Sequence, residues 1–190
     1  MSKATQPRLI IISAPSGAGK TTLCEKLIKD IPSIKLSIST TTRPRRSYET
    51  EGVHYHFVDK ETFQKQIEEK KFAEWALVHG NLYGTSLSVI ENFLKHGNHV
   101  LFDIDVQGAL SLKNLYPERA LMIFIHPPSL EILETRLKGR KSESGSSLET
   151  RLQNAYNEIA WSQKFDYQIT NDDLNRAYAE LTEIVSRECR

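Results

Sequence analysis

Short apolar runs alternate along this chain with longer stretches in which apolar residues recur every three or four positions. The runs are Arg8 to Ser13, Val100 to Ile104 and Leu121 to Ile125, and each is about as long as one strand. Continuous apolar runs suit strands that are buried on both faces, because crossover helices cover both sides of a parallel sheet. The pattern predicts an α/β fold with a parallel sheet flanked by helices, in which the last two runs are central strands.

Helical periodicity predicts the elements between these strands. Gly97 and Pro117 follow two of the periodic stretches and act as stop signals, and a pair of prolines precedes a third. The predicted helices are Lys20 to about Asp30, Ser86 to His96, Val106 to Tyr116, Ser129 to Leu137 and Asp172 to Arg187.

Two segments interrupt the alternation of strands and helices. Residues 34–85 contain short alternating runs, a helical stretch near Lys60 to Lys70 and a Gly80-Asn81 turn, which together predict a small, partly antiparallel insert. Residues 138–147 are polar and rich in Gly and Ser, and Ser146 with Glu149 resembles a capping box that opens a new helix. We therefore expect one domain with a core of residues 8–33, 86–137 and 163–190, an insert at about 34–85 and a lid at about 138–162.

Composition narrows the function classes. The 25 Lys and Arg residues balance 24 Asp and Glu residues to leave a net charge of +1, which disfavours a generally basic nucleic-acid binder. The two cysteines, Cys24 and Cys189, and the lack of a secretory leader predict a reduced, cytoplasmic protein. No apolar run approaches the roughly 20 residues that a membrane helix needs, so we expect no membrane partner. Oligomeric state does not follow from the sequence.

The strongest chemical signal lies between the first apolar run and the first helix. Its sequence is Ala14-Pro15-Ser16-Gly17-Ala18-Gly19-Lys20-Thr21. Glycines in such a loop let successive backbone N–H groups surround a polyphosphate at a helix N-terminus, the lysine neutralises phosphate charge, and the threonine hydroxyl binds Mg²⁺. Ala14 stands where the usual motif has Gly. The alternative is a tight strand-to-helix turn beside a solvated lysine.

A second signal is the carboxylate that ends the run Val100 to Asp103. P-loop enzymes usually carry their magnesium-side acid at this position. Asp105 follows two residues later, on the same face if the strand continues. Asp103 could equally be a helix N-cap, but with the glycine-rich loop it indicates a site for a nucleoside triphosphate and Mg²⁺.

Beyond these motifs, the sequence resembles the guanylate kinase family over nearly its whole length. The distinctive matches lie outside the phosphate loop. They are Ser39-Thr40-Thr41-Thr42-Arg43-Pro44-Arg45-Arg46, Glu51-Gly52-Val53-His54-Tyr55-His56-Phe57, Phe72-Ala73-Glu74-Trp75, Asn81-Leu82-Tyr83-Gly84-Thr85 and Asp103-Ile104-Asp105-Val106-Gln107-Gly108.

The resemblance implies a kinase that transfers the γ-phosphate of ATP to GMP with Mg²⁺ as cofactor, and an insert that binds GMP. It assigns the GMP phosphate to Ser39, Arg43, Arg46, Tyr55 and Tyr83, and the guanine to Glu74, Thr85 and Asp105. It assigns ATP to residues 14–21, Thr22 and Asn171, and Mg²⁺ to Thr21 and Asp103. It marks Lys20, Arg140 and Arg151 as catalytic.

The residues taken by themselves leave alternatives open. Arg43, Arg45 and Arg46 could form a solvated basic loop or a nucleic-acid patch, and Glu74 could be a surface residue of a strand. The lid arginines could lie on a solvated helix face, and Asn171 could be an N-cap. For the whole chain, the alternatives are a binding module without turnover and a kinase for another small acceptor. Retention of the phosphate-loop lysine and the lid arginines favours an enzyme.

Overall fold

The structure is a computed structural model that describes residues 6–78, 80–139 and 148–189. These residues form a five-stranded parallel sheet and a four-stranded mixed sheet. The strands are β1 (Leu9–Ser13), β2 (Ile34–Leu36), β3 (Thr40–Thr41), β4 (His56–Phe57), β5 (Phe72–Val78), β6 (Asn81–Ser86), β7 (His99–Asp103), β8 (Ala120–His126) and β9 (Tyr167–Thr170). The helices are α1 (Lys20–Asp30), α2 (Lys60–Glu68), α3 (Leu87–Lys95), α4 (Val106–Leu115), α5 (Leu130–Gly139), α6 (Leu148–Ala160) and α7 (Leu174–Glu188), with a 3₁₀ turn at Trp161–Lys164.

The parallel sheet has the strand order β2-β7-β1-β8-β9 and is covered on both faces. In β1, Ile10 and Ile12 pack in a core with residues of α1 and α7, whereas Leu9 and Ile11 pack in a second core with residues of α3 and α4. Alternate side chains point to opposite faces of a strand, so burial on both sides requires an unbroken apolar run. The predicted parallel sheet with flanking helices is confirmed.

The ends of the helices agree closely with the sequence pattern. Helix α1 has the predicted bounds, and Ser86 and Tyr116 lie just outside the helices they were expected to begin or end. Helix α7 begins at Leu174 rather than Asp172, because the Asp173 side chain accepts hydrogen bonds from the N–H groups of Asn175 and Arg176 and caps the helix.

Strand β2 corrects one part of the prediction. Its residues, expected at the start of the insert, pair in parallel with β7 at an edge of the core sheet. Ile34 is buried in the core that also contains residues of α1. Alternation of apolar and polar residues predicts a strand but not the sheet to which it belongs.

The second sheet has the strand order β4-β3-β6-β5. Strand β6 is antiparallel to both β3 and β5, while β3 and β4 run parallel, so the partly antiparallel character is confirmed. Phe63 of α2 stacks on Phe72 of β5 with 4.6 Å between ring centroids. Helix α4 of the core packs against β5, which brings this sheet to the carboxyl edge of the parallel one.

Helices α5 and α6 pack together through Leu133, Leu137 and Ala155. The polar segment between them falls outside the described residues, and with it Arg140 and the Ser146 of the expected capping box. In the part of the chain that the structure describes, no helix is both long enough and apolar enough to cross a membrane.

Candidate active site

The loop after β1 has the conformation that a phosphate cradle needs. Gly17 and Gly19 have φ angles of +94° and +92°, in the left-handed region that glycine adopts without steric cost. Within the described ranges, Lys70 is the only residue other than glycine with a positive φ. Ala14 therefore has a backbone conformation open to any L residue, and its departure from the usual Gly does not strain the loop.

Lys20 and Thr21 meet Asp103 at the ends of neighbouring strands. β1 and β7 are paired in parallel, so their carboxyl ends lie side by side, where ligands bind in open α/β sheets. The Lys20 Nζ lies 2.5 Å from Asp103 Oδ1 and donates to the Ile104 carbonyl at 3.0 Å. Thr21 Oγ1 donates to Asp103 Oδ2 at 3.3 Å. Burial alone would lower the pKa of Lys20, but the Asp103 carboxylate outweighs burial and raises it.

Two side chains from other elements brace the phosphate loop. Asn171 is buried, and its Nδ2 donates to the Ala18 carbonyl at 2.7 Å. Asn171 is therefore not the N-cap of α7, a role that Asp173 fills. Arg136 of α5 donates to the Gly17 carbonyl at 3.3 Å. A cleft beside the loop is lined by Gly17, Gly19, Thr22, Arg136, Asn171, Asp172 and Leu174.

Three of the residues assigned to the GMP phosphate converge on the mixed sheet. The Arg43 guanidinium lies over the Tyr55 ring, 5.4 Å from its centroid, and interacts with the Tyr83 hydroxyl. The Tyr55 and Tyr83 rings meet edge to face at 5.9 Å. Ser39 lies at the start of this region, and its carbonyl accepts from the His56 N–H.

Glu49 organises the arginines of the same loop. Its carboxylate accepts from Arg43 Nη2 at 2.6 Å and from the backbone N–H of Arg46 at 2.8 Å, while its carbonyl accepts from Arg45 Nη1. Burial opposes ionisation of both groups, but their pairing lowers the pKa of Glu49 and raises that of Arg43. The Arg46 guanidinium binds the Tyr48 hydroxyl instead. Arg43 is thus held by a buried anion, unlike the arginine of a freely solvated loop.

The three residues assigned to guanine also come together. Glu74 on β5 is paired in register with Thr85 on β6, and the Thr85 hydroxyl donates to Glu74 Oε1. Glu74 is only 8% exposed, which excludes the surface-strand alternative. Burial, together with the nearby Asp105 carboxylate, raises the pKa of Glu74 to about 7 against the lowering effect of the Thr85 hydrogen bond.

Asp105 reaches this cluster in a different way from the one expected. β7 ends at Asp103, so Asp105 does not share a strand face with it. Asp105 is instead the N-cap of α4, and its Oδ1 accepts from the Gly108 N–H at 2.9 Å. The strand stops because its carboxyl end turns directly into α4, and the N-cap role that Asp103 might have had belongs to Asp105.

The lid arginines are only partly described. Arg151 of α6 donates to the Leu137 carbonyl of α5 at 3.1 Å. Arg140 lies outside the described residues.

Glu158, also on α6, was not predicted from the sequence. Burial raises its pKa to about 7, and the charges of Lys20 and Asp105 shift it in opposite directions, so Glu158 lies within electrostatic reach of both residues.

Sequence reasoning missed Glu49 and Glu158. The signal for Glu49 was available, since one carboxylate close to three arginines is a natural ion-pair partner. Glu158 gave no local signal, because helical carboxylates are usually solvated. Its position depends on the packing of α6 against the core.

Comparisons with known proteins show the family to which the chain belongs. The model of the guanylate kinase family matches residues 6–188. A guanylate kinase from Syntrophotalea carbinolica is 49% identical over 183 residues, covering 96% of this chain and 87% of that protein. One from Chlorobium chlorochromatii is 46% identical and covers 92% of each chain. The crystal structure of guanylate kinase from Anaplasma phagocytophilum matches with a TM-score of 0.81 at 32% identity, covering 98% of this chain and 88% of that one. The chain therefore belongs to the guanylate kinase family.

Proposed function

We propose that this protein phosphorylates GMP with ATP, giving GDP and ADP, at the site formed by the phosphate loop, the Arg43 cluster and the Glu74 cluster. The observation that carries the proposal is the short segment at the end of β7. Asp103 contacts Lys20 and Thr21 of the phosphate loop, and Asp105, two residues later, faces Glu74. A donor nucleotide bound at the loop and an acceptor nucleotide whose base lies beside Glu74 would therefore be neighbours on either side of this segment.

On the donor side, the loop N–H groups and Lys20 would hold the β- and γ-phosphates. Asp103 and the Ile104 carbonyl already hold Lys20 beside the loop, and a positive charge fixed at this place would stabilise the charge that develops on the transferring group. Arg136, Asn171 and Thr22 would line the nucleoside side of the cleft.

The residues present fit a magnesium ion. Mg²⁺ prefers oxygen ligands and usually takes one or two of them from protein, with the rest from water and phosphate. Thr21 Oγ1 and Asp103 Oδ2 are adjacent oxygens beside the phosphate loop and would hold it. When bound, the ion would neutralise charge on the β- and γ-phosphates.

On the acceptor side, Arg43, Tyr55 and Tyr83 would bind the GMP phosphate, with Arg46 and Ser39 completing the site. A guanidinium matches the geometry of phosphate oxygens, and contact with the Tyr55 ring together with pairing to Glu49 holds Arg43 in place. The basic loop is thus suited to one dianionic group, which favours the kinase over the nucleic-acid alternative.

The base would be selected by Glu74 with Thr85 and Asp105. Guanine presents donors at N1 and at its 2-amino group, which an ionised carboxylate accepts, whereas adenine presents an acceptor at N1. A buried site built on such hydrogen bonds rejects an analogue that cannot make them by roughly 10⁴-fold or more.

In the transfer step, an oxygen of the bound GMP phosphate attacks the γ-phosphorus as the bond to the β–γ bridging oxygen breaks, with no covalent enzyme intermediate. Alignment of the reactants, exclusion of water and fixed positive charge account for catalysis. Closure of the lid would bring Arg140 and Arg151 to the transferring group. The core, the insert and the lid would then move relative to one another, with the insert beginning after β2.

A coupled assay of ADP release with GMP, AMP, CMP and UMP tests the proposal. We expect kcat/KM for GMP to exceed that for each of the others by roughly 10⁴-fold or more. Comparable turnover of another nucleotide would identify a different acceptor. Binding of GMP without ADP release would instead indicate a binding module.

A further inference from the structure

Gly108 occupies a helix position that does not require glycine. It is the third residue of α4 after the Asp105 cap, and its φ is not in the positive range. Within a helix, glycine is less favourable than alanine. The local backbone therefore gives no reason for glycine at position 108.

The reason lies in what a side chain at this position would meet. A Cβ at Gly108 would be 2.7 Å from Glu74 Oε2, 3.1 Å from Glu74 Cδ and 3.2 Å from Asp105 Oδ1. The first distance is shorter than any ordinary contact of a carbon atom. The Glu74 carboxylate could make room only by shifting within a buried site, and a shift would disturb the hydrogen bond that its other oxygen accepts from Thr85.

The residue also acts through its backbone. The Gly108 N–H donates to Asp105 Oδ1 at 2.9 Å, which fixes the second carboxylate of the cluster. The positive end of α4 thereby lies against both acidic side chains, an arrangement that favours negative charge. Gly108 thus orients Asp105 by a hydrogen bond, and its lack of a side chain leaves room for the Glu74 carboxylate.

We propose that Gly108 is a specificity-determining positioning residue, whose lack of a side chain sets the place of the Glu74 carboxylate that reads the guanine. The inference rests on the proposed function, because it assumes that Glu74 accepts from guanine. It adds a residue that acts on the base through Glu74.

The direct test is Gly108→Ala, with Ser111→Ala, an exposed position on the same helix, as control. We expect Gly108→Ala to lower kcat/KM for GMP by about tenfold or more and to leave KM for ATP within about twofold, while Ser111→Ala resembles wild type. IMP lacks the 2-amino group, so its kcat/KM should fall less than that for GMP. Equal losses for GMP and IMP, or no loss, would overturn the proposal.

A double-mutant cycle separates action through Glu74 from a general effect on folding. In a Glu74→Gln background, where the guanine contact is already damaged, Gly108→Ala should change kcat/KM for GMP by less than about threefold, because contacting residues are not additive. Full additivity would show that Gly108 acts independently of Glu74. A wild-type enzyme that does not turn over GMP would instead refute the proposed function itself.

A third variant keeps the proposal testable if Gly108→Ala does not fold. Glu74→Asp withdraws the carboxylate by one methylene, so Glu74→Asp combined with Gly108→Ala should fold with a Tm close to that of Glu74→Asp alone. If this double variant did not fold, the alanine side chain would be clashing with a residue other than Glu74, and the proposal would be overturned.

Discussion

The site has a phosphate-facing region, around Lys20 and Arg43, and a base-facing region, around Glu74 and Asp105. The two regions differ in how their charged side chains are paired. Where phosphates are expected, two of the cations are paired with carboxylates: Lys20 pairs with Asp103, and Arg43 pairs with Glu49. Where guanine is expected, Glu74 lies beside Asp105 with a hydroxyl as its partner, and its pKa rises to about 7. Ion pairs hold charged groups in place across neutral pH. A buried carboxylate beside another carboxylate remains poised between its charged and neutral forms.

This difference indicates how the two tasks are divided. Phosphate binding needs fixed positive charge, and paired side chains keep it oriented before the ligand arrives. Base selection needs a strong acceptor. Burial disfavours the ionised form of the Glu74 carboxylate, and hydrogen bonds donated by guanine stabilise that form. We therefore expect substitutions that remove charge from the phosphate-facing region to change kcat or KM. We expect the base preference set by the base-facing region to depend on pH as well.

The largest expected effect is at the donor phosphates. Lys20→Ala should lower kcat by at least about 10³-fold, because it removes a fixed charge from the transferring group. Lys29→Ala, on the exposed side of the same helix, should behave like wild type. Steady-state kinetics of both variants give kcat, and thermal unfolding shows whether they are folded. A folded Lys20→Ala enzyme with normal turnover would remove the loop from the mechanism.

Glu49→Gln tests the preorganisation of Arg43. Loss of this buried charged pair should raise KM for GMP by about 10- to 30-fold, as expected for one charge-assisted hydrogen bond, and should leave kcat and KM for ATP nearly unchanged. Glu51→Gln is the matched control, since Glu51 is an exposed carboxylate a few residues away. An unchanged KM for GMP would mean that Glu49 does not act through the phosphate site.

A smaller effect should appear in the dependence of base preference on pH. With a pKa of about 7, Glu74 is mostly ionised at pH 8 and mostly protonated at pH 6, where it becomes a donor that suits the N1 of adenine. The ratio of kcat/KM for GMP to that for AMP should therefore fall by about tenfold or more from pH 8 to pH 6. Taking the ratio cancels protonation of the shared phosphate group. A flat ratio would contradict titration of Glu74 in this range.

The sequence predicted the parallel core well because burial on both faces leaves a strong signal, as in the unbroken apolar residues of β1. It predicted the phosphate loop because the position of each glycine follows from backbone geometry. It did not predict that β2 belongs to the core sheet, since edge strands in the two sheets have similar patterns. It also did not predict how Gly108 packs on Glu74, because that contact joins a helix of the core to a strand of the mixed sheet and depends on tertiary structure.

The most direct test of the account concerns guanine selection by Glu74. The measurement is kcat/KM for GMP and for AMP in the wild-type enzyme and in Glu74→Gln at pH 8. The substitution keeps the shape and replaces an acceptor oxygen with a donor, so GMP should lose about 10²-fold, equivalent to one or two buried charge-assisted hydrogen bonds, while AMP changes little. An unchanged ratio of the two values would remove Glu74 from the guanine site and leave Thr85 and Asp105 to provide the selectivity.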